Sequence, residues 1–422
     1  MSNPEVQLNG RSYSWPKVPV VAVCIDGSEP GYIEEAIKAG VAPFFKRVME
    51  EETYRVAHCV IPAFTNPNNI SIVTGRPPVV HGICGNFFYD RETDSEIMMN
   101  DPKFLRAETI FKAFQRRGAK VCVITAKDKL RRLLGKDLNF GDGTAISFSA
   151  ETSDKTTMAE HGIEGVLDLV GLPLPDVYSA DLSEFIFAAG VKIMERDRPD
   201  IMYLSTTDYV QHKHAPGTPM ANAFYEMMDG YLTKLDEMGC IIAMTADHGM
   251  NAKHDSNGEP DVIYLQEVLD EMLGEGVARV ILPITDPYVA HHGALGSFAT
   301  VYLSDDVDRG ELLEKLEAMD GIEIALDRTA GCTRFELPED RVGDIIVVSS
   351  KNKVLGTSAS RHDLSGLKEP LRSHGGVSEQ QVPFLVNRAV DLPPDAPLRN
   401  FDIYNVLLTN ILHGGRASHQ GG

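Results

Sequence analysis

Residues 21–30, VAVCIDGSEP, join an apolar run to an aspartate and a glycine. The run covers residues 20–25, and its length and unbroken apolar character are typical of a strand that is buried on both faces of a sheet. Four more runs of this kind follow along the chain, at residues 121–125, 201–205, 240–245 and 382–386. Together they predict five strands of one buried central sheet.

Longer amphipathic segments separate these runs. They cover residues 34–50, 108–117, 182–196 and 221–238, and their apolar side chains have the spacing that favours helices with one buried face. The alternation of buried strands with such helices predicts an α/β fold with a doubly wound sheet. Right-handed crossovers would then bring the carboxyl ends of the strands together along one edge.

The pattern changes between residues 251 and 371. Strand-like segments at residues 277–283, 300–304, 322–325 and 344–349 surround one helical segment at residues 310–319. We therefore predict a core formed by residues 1–252 and 371–412, with a smaller α+β cap inserted at residues 253–370. The last residues, 413–422, have the glycine-rich composition of a flexible tail.

The chain of 422 residues is strongly acidic, with 40 Lys and Arg against 61 Asp and Glu and a formal net charge of −21. This charge argues against a nucleic acid or an anionic membrane as a partner, and an anionic small-molecule substrate would need local positive charge. Six scattered cysteines without a CxxC motif indicate reduced thiols. The chain shows neither a secretory signal nor a run of about 18 apolar residues. We therefore expect a cytoplasmic protein, for which a homodimer is as compatible with the sequence as a monomer.

Six residues that can bind metal ions lie close to the ends of the predicted strands: Asp26, Asp208, His212, Asp247, His248 and His374. The i, i+4 spacing of Asp208 and His212 would place both side chains on one face of a helical turn, about 5–6 Å apart at Cβ. Asp247 and His248 are adjacent, so both can reach one site only from the loop after the strand, which the following glycine permits. Carboxylate and imidazole groups suit Zn²⁺ or a similar ion, and six ligands fit two ions better than one.

Each of these residues alone has a simpler explanation. An aspartate after a strand is commonly a helix cap or a turn former, and a single histidine is usually structural or solvated. We assign no role to the other histidines, although the adjacent His291 and His292 could line a pocket in the cap. The ordered combination of three aspartates and three histidines is what favours a metal centre.

A candidate nucleophile occurs in residues 64–90, FTNPNNISIVTGRPPVVHGICGNFFYD. Pro67 favours a helix that begins close to it, which places the Thr65 hydroxyl at a helix N-terminus, in a field that attracts anions. Considered by itself, Thr65 would more simply be a helix cap.

Lys127 and Lys129 follow the strand predicted at residues 121–125 and would place two ammonium groups near the same sheet edge. The alternative is a solvated basic run that continues through Arg131, Arg132 and Lys136, since charged runs usually face solvent. The residues alone leave both interpretations open.

The order of the motifs resembles that of the alkaline phosphatase superfamily. The motifs are Thr65 with Pro67, Thr74-Gly75, His81-Gly82, Asn86 through Asp90, and the later Asp-x-x-x-His, Asp-His-Gly and His-Gly sequences. The branch with threonine as nucleophile, which includes nucleotide pyrophosphatases/phosphodiesterases and phosphonate hydrolases, is the most similar. The resemblance covers about residues 19–252 and 372–387 and implies an alkaline-phosphatase-like core.

The resemblance also implies roles for individual residues. One zinc ion would be held by Asp208, His212 and His374, and the other by Asp26, Asp247 and His248, with Thr65 as a further ligand or close neighbour. Mn²⁺ and Fe²⁺ are acceptable substitutes for zinc. Asn86 would donate its amide to a phosphoryl oxygen, and Lys127 with Lys129 would bind the rest of the substrate.

Within this branch, the acidic, leaderless and modest-length chain favours a hydrolase that cleaves the C–P bond of phosphonoacetate to acetate and phosphate. Thr65 would be the nucleophile, although its phosphorylation and direct attack by an activated water both remain open. The alternative within the superfamily is a phosphodiesterase or phosphonate monoester hydrolase. The alternative from another class is a non-catalytic metal-binding protein.

Overall fold

The computed structural model describes residues 5–285 and 294–412. A sheet of seven strands lies at its centre, labelled β1 (Val20–Cys24), β2 (Thr53–His58), β3 (Val121–Thr125), β4 (Ala145–Ser149), β5 (Ile201–Ser205), β6 (Ile241–Thr245) and β7 (Gln381–Val386). The strand order is β2-β7-β6-β1-β5-β3-β4. Strands β6, β1, β5, β3 and β4 run parallel, and β7 is antiparallel to both of its neighbours. The predicted α/β fold with a doubly wound central sheet is confirmed, and the sheet is mixed because β7 is antiparallel to its neighbours.

The two strands that the sequence does not predict, β2 and β4, lie at the two edges of this sheet. Their sequences, TYRVAH and AISFS, contain polar side chains that interrupt the apolar run. The sequence of an interior strand in a covered sheet is a continuous apolar run, whereas the sequence of an edge strand can include polar residues. The signal used to find the inner strands therefore misses the edges.

Helices cover both faces of the sheet. The longer ones are Pro30–Lys38, Pro43–Glu51, Thr65–Thr74, Ile110–Gln115, Asp128–Leu134, Asp181–Arg196 and Pro219–Glu237, and shorter ones are Pro78–His81, Met158–His161, Val166–Val170, Tyr209–Lys213 and Ile403–Asn405. Successive residues of β1 alternate between two apolar clusters: Val20, Ala22 and Cys24 belong to one, and Val21 and Val23 to the other. Since side chains alternate across a strand, both faces of β1 are buried.

The single helix predicted at residues 34–50 is wrong. The chain forms two helices there, Pro30–Lys38 and Pro43–Glu51. Gly40 has φ +79°, a left-handed conformation that glycine adopts without a Cβ clash. Pro43 then starts the second helix, because proline fits the first helical turn but cannot continue a preceding one.

The cap contains an antiparallel sheet of four strands in the order Ala278–Ile281, Phe298–Leu303, Ile345–Ser349 and Ile322–Asp327. A smaller parallel pair joins Val262–Tyr264 to Val354–Gly356. Three α-helices, Leu265–Leu273, Arg309–Glu317 and Arg328–Phe335, occur among the described cap residues. The four predicted strands and the smaller cap are therefore present.

The prediction of one helical segment in the cap is wrong, because two further helices occur. Leu265–Leu273 buries only Leu265 and Leu269, and Arg328–Phe335 has a weak apolar face. The first helix nevertheless has apolar residues at helical spacing, namely Leu265, Val268, Leu269, Met272 and Leu273, so its pattern was available in the sequence, whereas the second helix has no such pattern. His291, His292 and the tail predicted at residues 413–422 lie outside the described residues.

The chain leaves the core and returns to it side by side. Asn251–Ala252 pairs antiparallel with Arg372–Ser373, with Asn251 opposite Ser373. We therefore propose residues 253–370 as a cap inserted into a core of residues 1–252 and 371–412. Among residues 5–285 and 294–412, no helix has both the length and the apolar character needed to pass through a bilayer.

Candidate active site

Three of the predicted ligands come from the carboxyl ends of neighbouring strands. Asp26 follows β1, Asp208 follows β5 and Asp247 follows β6, and these three strands are adjacent and parallel. Parallel strands present their carboxyl ends at one edge of a sheet, so residues far apart in the chain meet there.

Asp208, His212 and His374 form the first group, with ligand atoms within 4.8 Å of one another. Asp208 immediately precedes the short helix Tyr209–Lys213 without capping it through its side chain, and its Oδ2 lies 2.9 Å from His212 Nε2. The same carboxylate oxygen lies 3.8 Å from His374 Nε2. The i, i+4 pair and the distant histidine thus converge.

Asp26, Asp208 and His248 form a second group, whose ligand atoms also lie within 4.8 Å of one another. His248 Nε2 lies 3.3 Å from Asp26 Oδ1, and Thr65 Oγ1 lies 3.4 Å from His248 Nε2. Asp208 therefore belongs to both groups. Asp247 lies beside the second group, with its Oδ2 3.9 Å from His248 Nε2.

Backbone contacts orient all three histidines. The Nδ1 atoms of His212, His248 and His374 lie 2.8, 2.9 and 2.7 Å from the carbonyl oxygens of Arg372, Gly249 and Ala63. A carbonyl oxygen only accepts hydrogen bonds, so each Nδ1 carries the proton and donates it. Each Nε2 therefore faces the carboxylates of the cluster, where it would offer its lone pair to a bound cation, as is typical of metal-ligating histidines.

The electrostatics of the cluster fit divalent cations. Burial, reinforced by Asp208 and Asp247, raises the pKa of Asp26 well above its ordinary value. Burial also lowers the pKa of His374, and the neighbouring His248 and His212 add to this effect. Burial lowers the pKa of His248, but the neighbouring Asp247 and Asp26 outweigh this effect and raise that pKa to about 10. Buried carboxylates that dominate a cluster in this way are stabilised by bound cations, and the mixed oxygen and nitrogen donors suit Zn²⁺.

Thr65 is the first residue of the helix Thr65–Thr74, and Phe64 precedes it as the N-cap. Thr65 is therefore at the helix N-terminus, as predicted, but Pro67 occupies the third helical position. The field at this end of the helix favours a negatively charged oxygen.

Asn69, which the sequence analysis does not single out, holds this helix against the ligands. Its Nδ2 donates to the Thr65 carbonyl oxygen at 3.0 Å and to Asp247 Oδ2 at 3.1 Å. Its Oδ1 accepts from the Tyr203 hydroxyl at 2.7 Å and from the Ser205 hydroxyl at 2.9 Å. Asparagine is unfavourable inside a helix, so its presence there was an available signal of a tertiary role.

A pocket of about 100 Å³ opens above these groups. Its lining includes seven predicted residues, Asp26, Thr65, Asn86, Lys127, Lys129, Asp208 and His374, and five unpredicted polar or flexible ones, Asn66, Met98, Asn100, Thr206 and Thr207. Lys127 and Lys129 are half-buried at the start of the helix Asp128–Leu134, directly after β3. The structure therefore places both lysines at the pocket, whereas Arg132 is exposed.

A hairpin formed by Phe87–Asp90 and Ser95–Met98 builds one wall of the pocket. The hairpin packs on the cap: the Tyr89 and Tyr302 rings lie 5.0 Å apart, and Arg91 pairs with the buried Asp344. At its base, the Asn86 N–H donates to the Pro283 carbonyl oxygen at 2.7 Å. The cap thus supports the segment that carries Asn86 and Met98.

Residues 20–376 match the family of type I phosphodiesterases and nucleotide pyrophosphatases. Because the match covers most of the chain, the chain belongs to this family, and the predicted placement in the alkaline phosphatase superfamily is confirmed. Within the family, the chain is similar over nearly its whole length to phosphonoacetate hydrolase from Sinorhizobium meliloti 1021. Crystal structures of that enzyme in complex with phosphonoformate and with phosphonoacetate each match with a TM-score of 0.94 and 62% identity, covering 97% of this chain and 99% of that chain.

More distant relatives show how far the similarity extends. Murine ectonucleotide pyrophosphatase/phosphodiesterase 5 shares the fold, with a TM-score of 0.62 and 19% identity over 94% of this chain and 97% of that chain. Phosphonoacetate hydrolase from Penicillium oxalicum is 64% identical over 31 residues, 7% of this chain and 43% of that protein. An uncharacterized pyrophosphatase/phosphodiesterase from Schizosaccharomyces pombe is 22% identical over 254 residues, 56% of this chain and 46% of that protein. The matches thus span less than half the length of these two curated relatives.

Proposed function

We propose that the chain hydrolyses the C–P bond of phosphonoacetate to acetate and phosphate, with Thr65 as the nucleophile and two divalent metal ions as cofactors. The observation that carries this proposal is the pocket, whose lining combines Thr65 with candidate metal ligands and with Lys127 and Lys129. The similarity to an enzyme crystallised with phosphonoacetate supports the same substrate.

The proposed cofactors are two Zn²⁺ ions, with Mn²⁺ or Fe²⁺ as substitutes. We assign Asp208, His212 and His374 to one ion and Asp26, Asp247 and His248 to the other, with Asp208 close to both. When bound, these ions would lower the pKa of the threonine hydroxyl and neutralise charge on the phosphoryl group.

The chain's own residues would carry the first half of the reaction. The Thr65 oxygen forms a bond to phosphorus while the C–P bond breaks, and the electron pair of that bond leaves with the methylene carbon. The helix N-terminus stabilises the negative charge on the threonine oxygen. Asn86 donates its amide to a phosphoryl oxygen, as preorganised donors do in sites that stabilise developing charge.

A carbon leaving group needs a place for its negative charge. In phosphonoacetate the adjacent carboxylate delocalises the electron pair as an enediolate, and Lys127 and Lys129 would neutralise it. The Thr65 hydroxyl gives up one proton as its oxygen attacks, and one proton added to the methylene carbon converts the enediolate to acetate, so the proton count balances. Water hydrolyses the phosphothreonine, which releases phosphate and restores the Thr65 hydroxyl.

We also propose that the protein acts in the cytoplasm on a small-molecule phosphonate, with neither nucleic acid nor a membrane as a partner. All six cysteines are buried and free, which fits a reducing compartment. The net charge of −21 disfavours polyanionic partners.

Phosphate release tests the proposal. Purified protein is assayed for phosphate release from phosphonoacetate, 2-aminoethylphosphonate and phosphonopyruvate, and for release of the aryl alcohol from a bis-aryl phosphate ester, each with and without a chelator. We expect phosphonoacetate to be cleaved fastest and the chelator to abolish cleavage. Activity that resists the chelator would contradict the metal-dependent mechanism.

A phosphodiesterase is the second candidate, because the family match is to type I phosphodiesterases. It would cleave the bis-aryl ester faster than phosphonoacetate. Tightly bound zinc without cleavage of any phosphoryl compound would instead indicate a metal-binding protein.

A further inference from the structure

The segments that carry His248 and His374 run side by side. Asn251–Ala252 pairs with Arg372–Ser373, so the two histidines extend from neighbouring strands. Their rings stack with centroids 3.6 Å apart and an interplanar angle of 5°. Because the two Nε2 atoms belong to different groups of ligands, the spacing of these rings sets the spacing of the two candidate metal sites.

Glu379 binds both segments beyond this short ladder. Its backbone carbonyl accepts from the Gly249 N–H at 2.7 Å, one residue after His248. Its side-chain Oε2 accepts from the Gly376 N–H at 2.9 Å, two residues after His374. One residue thus holds the backbone next to both histidines.

Lys253 holds the other carboxylate oxygen of Glu379. The Lys253 Nζ donates to Glu379 Oε1 at 2.9 Å, and neither side chain has any solvent exposure. The same ammonium donates to the Ser297 hydroxyl at 2.7 Å and to the Lys351 carbonyl oxygen at 2.6 Å, both in the cap. Asn251 Nδ2 adds a further hydrogen bond to Glu379 Oε1 at 2.7 Å.

A buried ion pair of this kind does not by itself indicate added stability. Removing two charges from water is costly, and well-packed apolar residues often stabilise a core equally well or better. The pair instead holds a hydrogen-bond acceptor in a fixed orientation. An apolar side chain could not accept the hydrogen bond that the Gly376 N–H donates. The geometry therefore suggests a positional role.

We propose that Glu379, held by Lys253, is a positioning residue that fixes the separation of the His248 and His374 imidazoles and hence of the two metal ions. This inference rests on the proposed function in that it assumes two bound ions. Glu379 touches neither the substrate pocket nor the predicted ligands' side chains, so it would act through the backbone.

Zinc titration of the metal-free full chain tests this role. Glu379→Gln keeps the size of the side chain but removes its charge. We expect the second zinc equivalent to bind about 10-fold more weakly, the lower end of the range for partners of metal ligands, because Glu379 contacts the backbone beside the histidines and not their rings. The KM for phosphonoacetate should change little, because the pocket wall is intact. Asp229→Asn is the matched control: Asp229 is a buried carboxylate that caps the backbone at Phe44 and Phe45. The control should lower Tm while leaving both zinc affinities unchanged.

The double variant Lys253→Met/Glu379→Gln removes both charges and therefore avoids leaving one buried alone, which keeps the test valid if the single variant does not fold. It should show the same weakened second zinc. Wild-type zinc affinities in either folded variant would overturn the positioning role. If wild-type protein binds two zinc ions but cleaves no phosphonoacetate, the proposed activity fails while the positioning role stands. If wild-type protein binds fewer than two, the two-metal assumption itself is wrong.

Discussion

Two regions of the candidate site are built in different ways. The ligand cluster, namely Asp26, Asp208, His212, Asp247, His248 and His374, exposes at most 8% of any residue. The pocket wall, namely Asn86, Met98, Asn100, Lys127 and Lys129, is half-buried. The cluster residues follow strand ends, and backbone carbonyls hold the histidines, whereas Met98 lies in a hairpin that packs on the cap and Asn86 and Asn100 flank that hairpin.

The two regions serve different tasks, namely metal binding by the cluster and substrate contact by the wall. Metal ligands tolerate little displacement, so they gain from a rigid sheet edge and from fixed histidine tautomers. The wall meets the variable part of a substrate, and its supports are surface contacts that can change without disturbing the sheet. We expect changes in the cluster to reduce every activity and changes in the wall to alter substrate choice.

The largest effect should come from Asp208→Ala, because Asp208 belongs to both ligand groups. We expect it to weaken both zinc sites and to lower kcat/KM on the order of 10⁵–10⁶-fold, as removal of a central catalytic group does. His212→Ala should weaken only one site. Metal content and phosphate release measure the two effects, and Asp200→Asn, at the opposite end of β5, is the control. Two tightly bound zinc ions in Asp208→Ala would show that the carboxylate is not shared.

Thr65→Ala should lower kcat on the order of 10⁴-fold while retaining both zinc ions, because it removes the attacking oxygen. Ser71→Ala is the control, since Ser71 lies in the same helix and contacts the Pro67 carbonyl oxygen. Quenched wild-type reactions should contain phosphothreonine at position 65. Near-normal turnover of Thr65→Ala would instead assign the attack to water.

Lys129→Ala probes the wall. We expect a loss of about 10²–10³-fold in kcat/KM for phosphonoacetate, because a group that neutralises the developing enediolate is removed. Any residual cleavage of a bis-aryl ester, which has no carboxylate, should change far less. Arg132→Ala, an exposed residue of the same helix, should leave both rates unchanged. Equal losses for the two substrates would mean that Lys129 does not bind the carboxylate.

The smallest effect should come from Arg91→Ala, which releases the hairpin from Asp344. Arg91 is partly exposed, so its ion pair is worth about 1 kcal/mol, which converts to roughly a fivefold rise in KM. Arg309→Ala removes another contact of Asp344 from outside the hairpin, with Nη2 to Oδ1 at 3.3 Å, and should not change KM. Identical KM values in both variants would show that the hairpin does not depend on this contact.

Much of the core could be predicted from sequence because each interior strand is an unbroken apolar run. The edge strands β2 and β4 and the helix Arg328–Phe335 could not, since their patterns are partly polar or weak. Their conformation depends on neighbours that are distant in the chain. The same limit explains the break at Gly40 inside an apparently continuous helix.

The candidate site shows a similar division. Residues with distinctive chemistry next to strands were found, but Asn69, Glu379 and Lys253 were not. These three act through hydrogen bonds to residues up to 178 positions away, such as that from Asn69 to Asp247. Their spacing in the chain therefore carries no recognisable pattern.

The amino-acid sequence by itself determined the strand-helix alternation, the family and the identity of the residues able to bind metal, since local apolar patterns and residue types are properties of short segments. Only the tertiary structure decided that Asp208 lies between two groups of ligands, that two lysines line the pocket, and that Glu379 joins the His248 and His374 segments. Those facts are distances between side chains that many residues separate, and such distances exist only after the sheet has assembled.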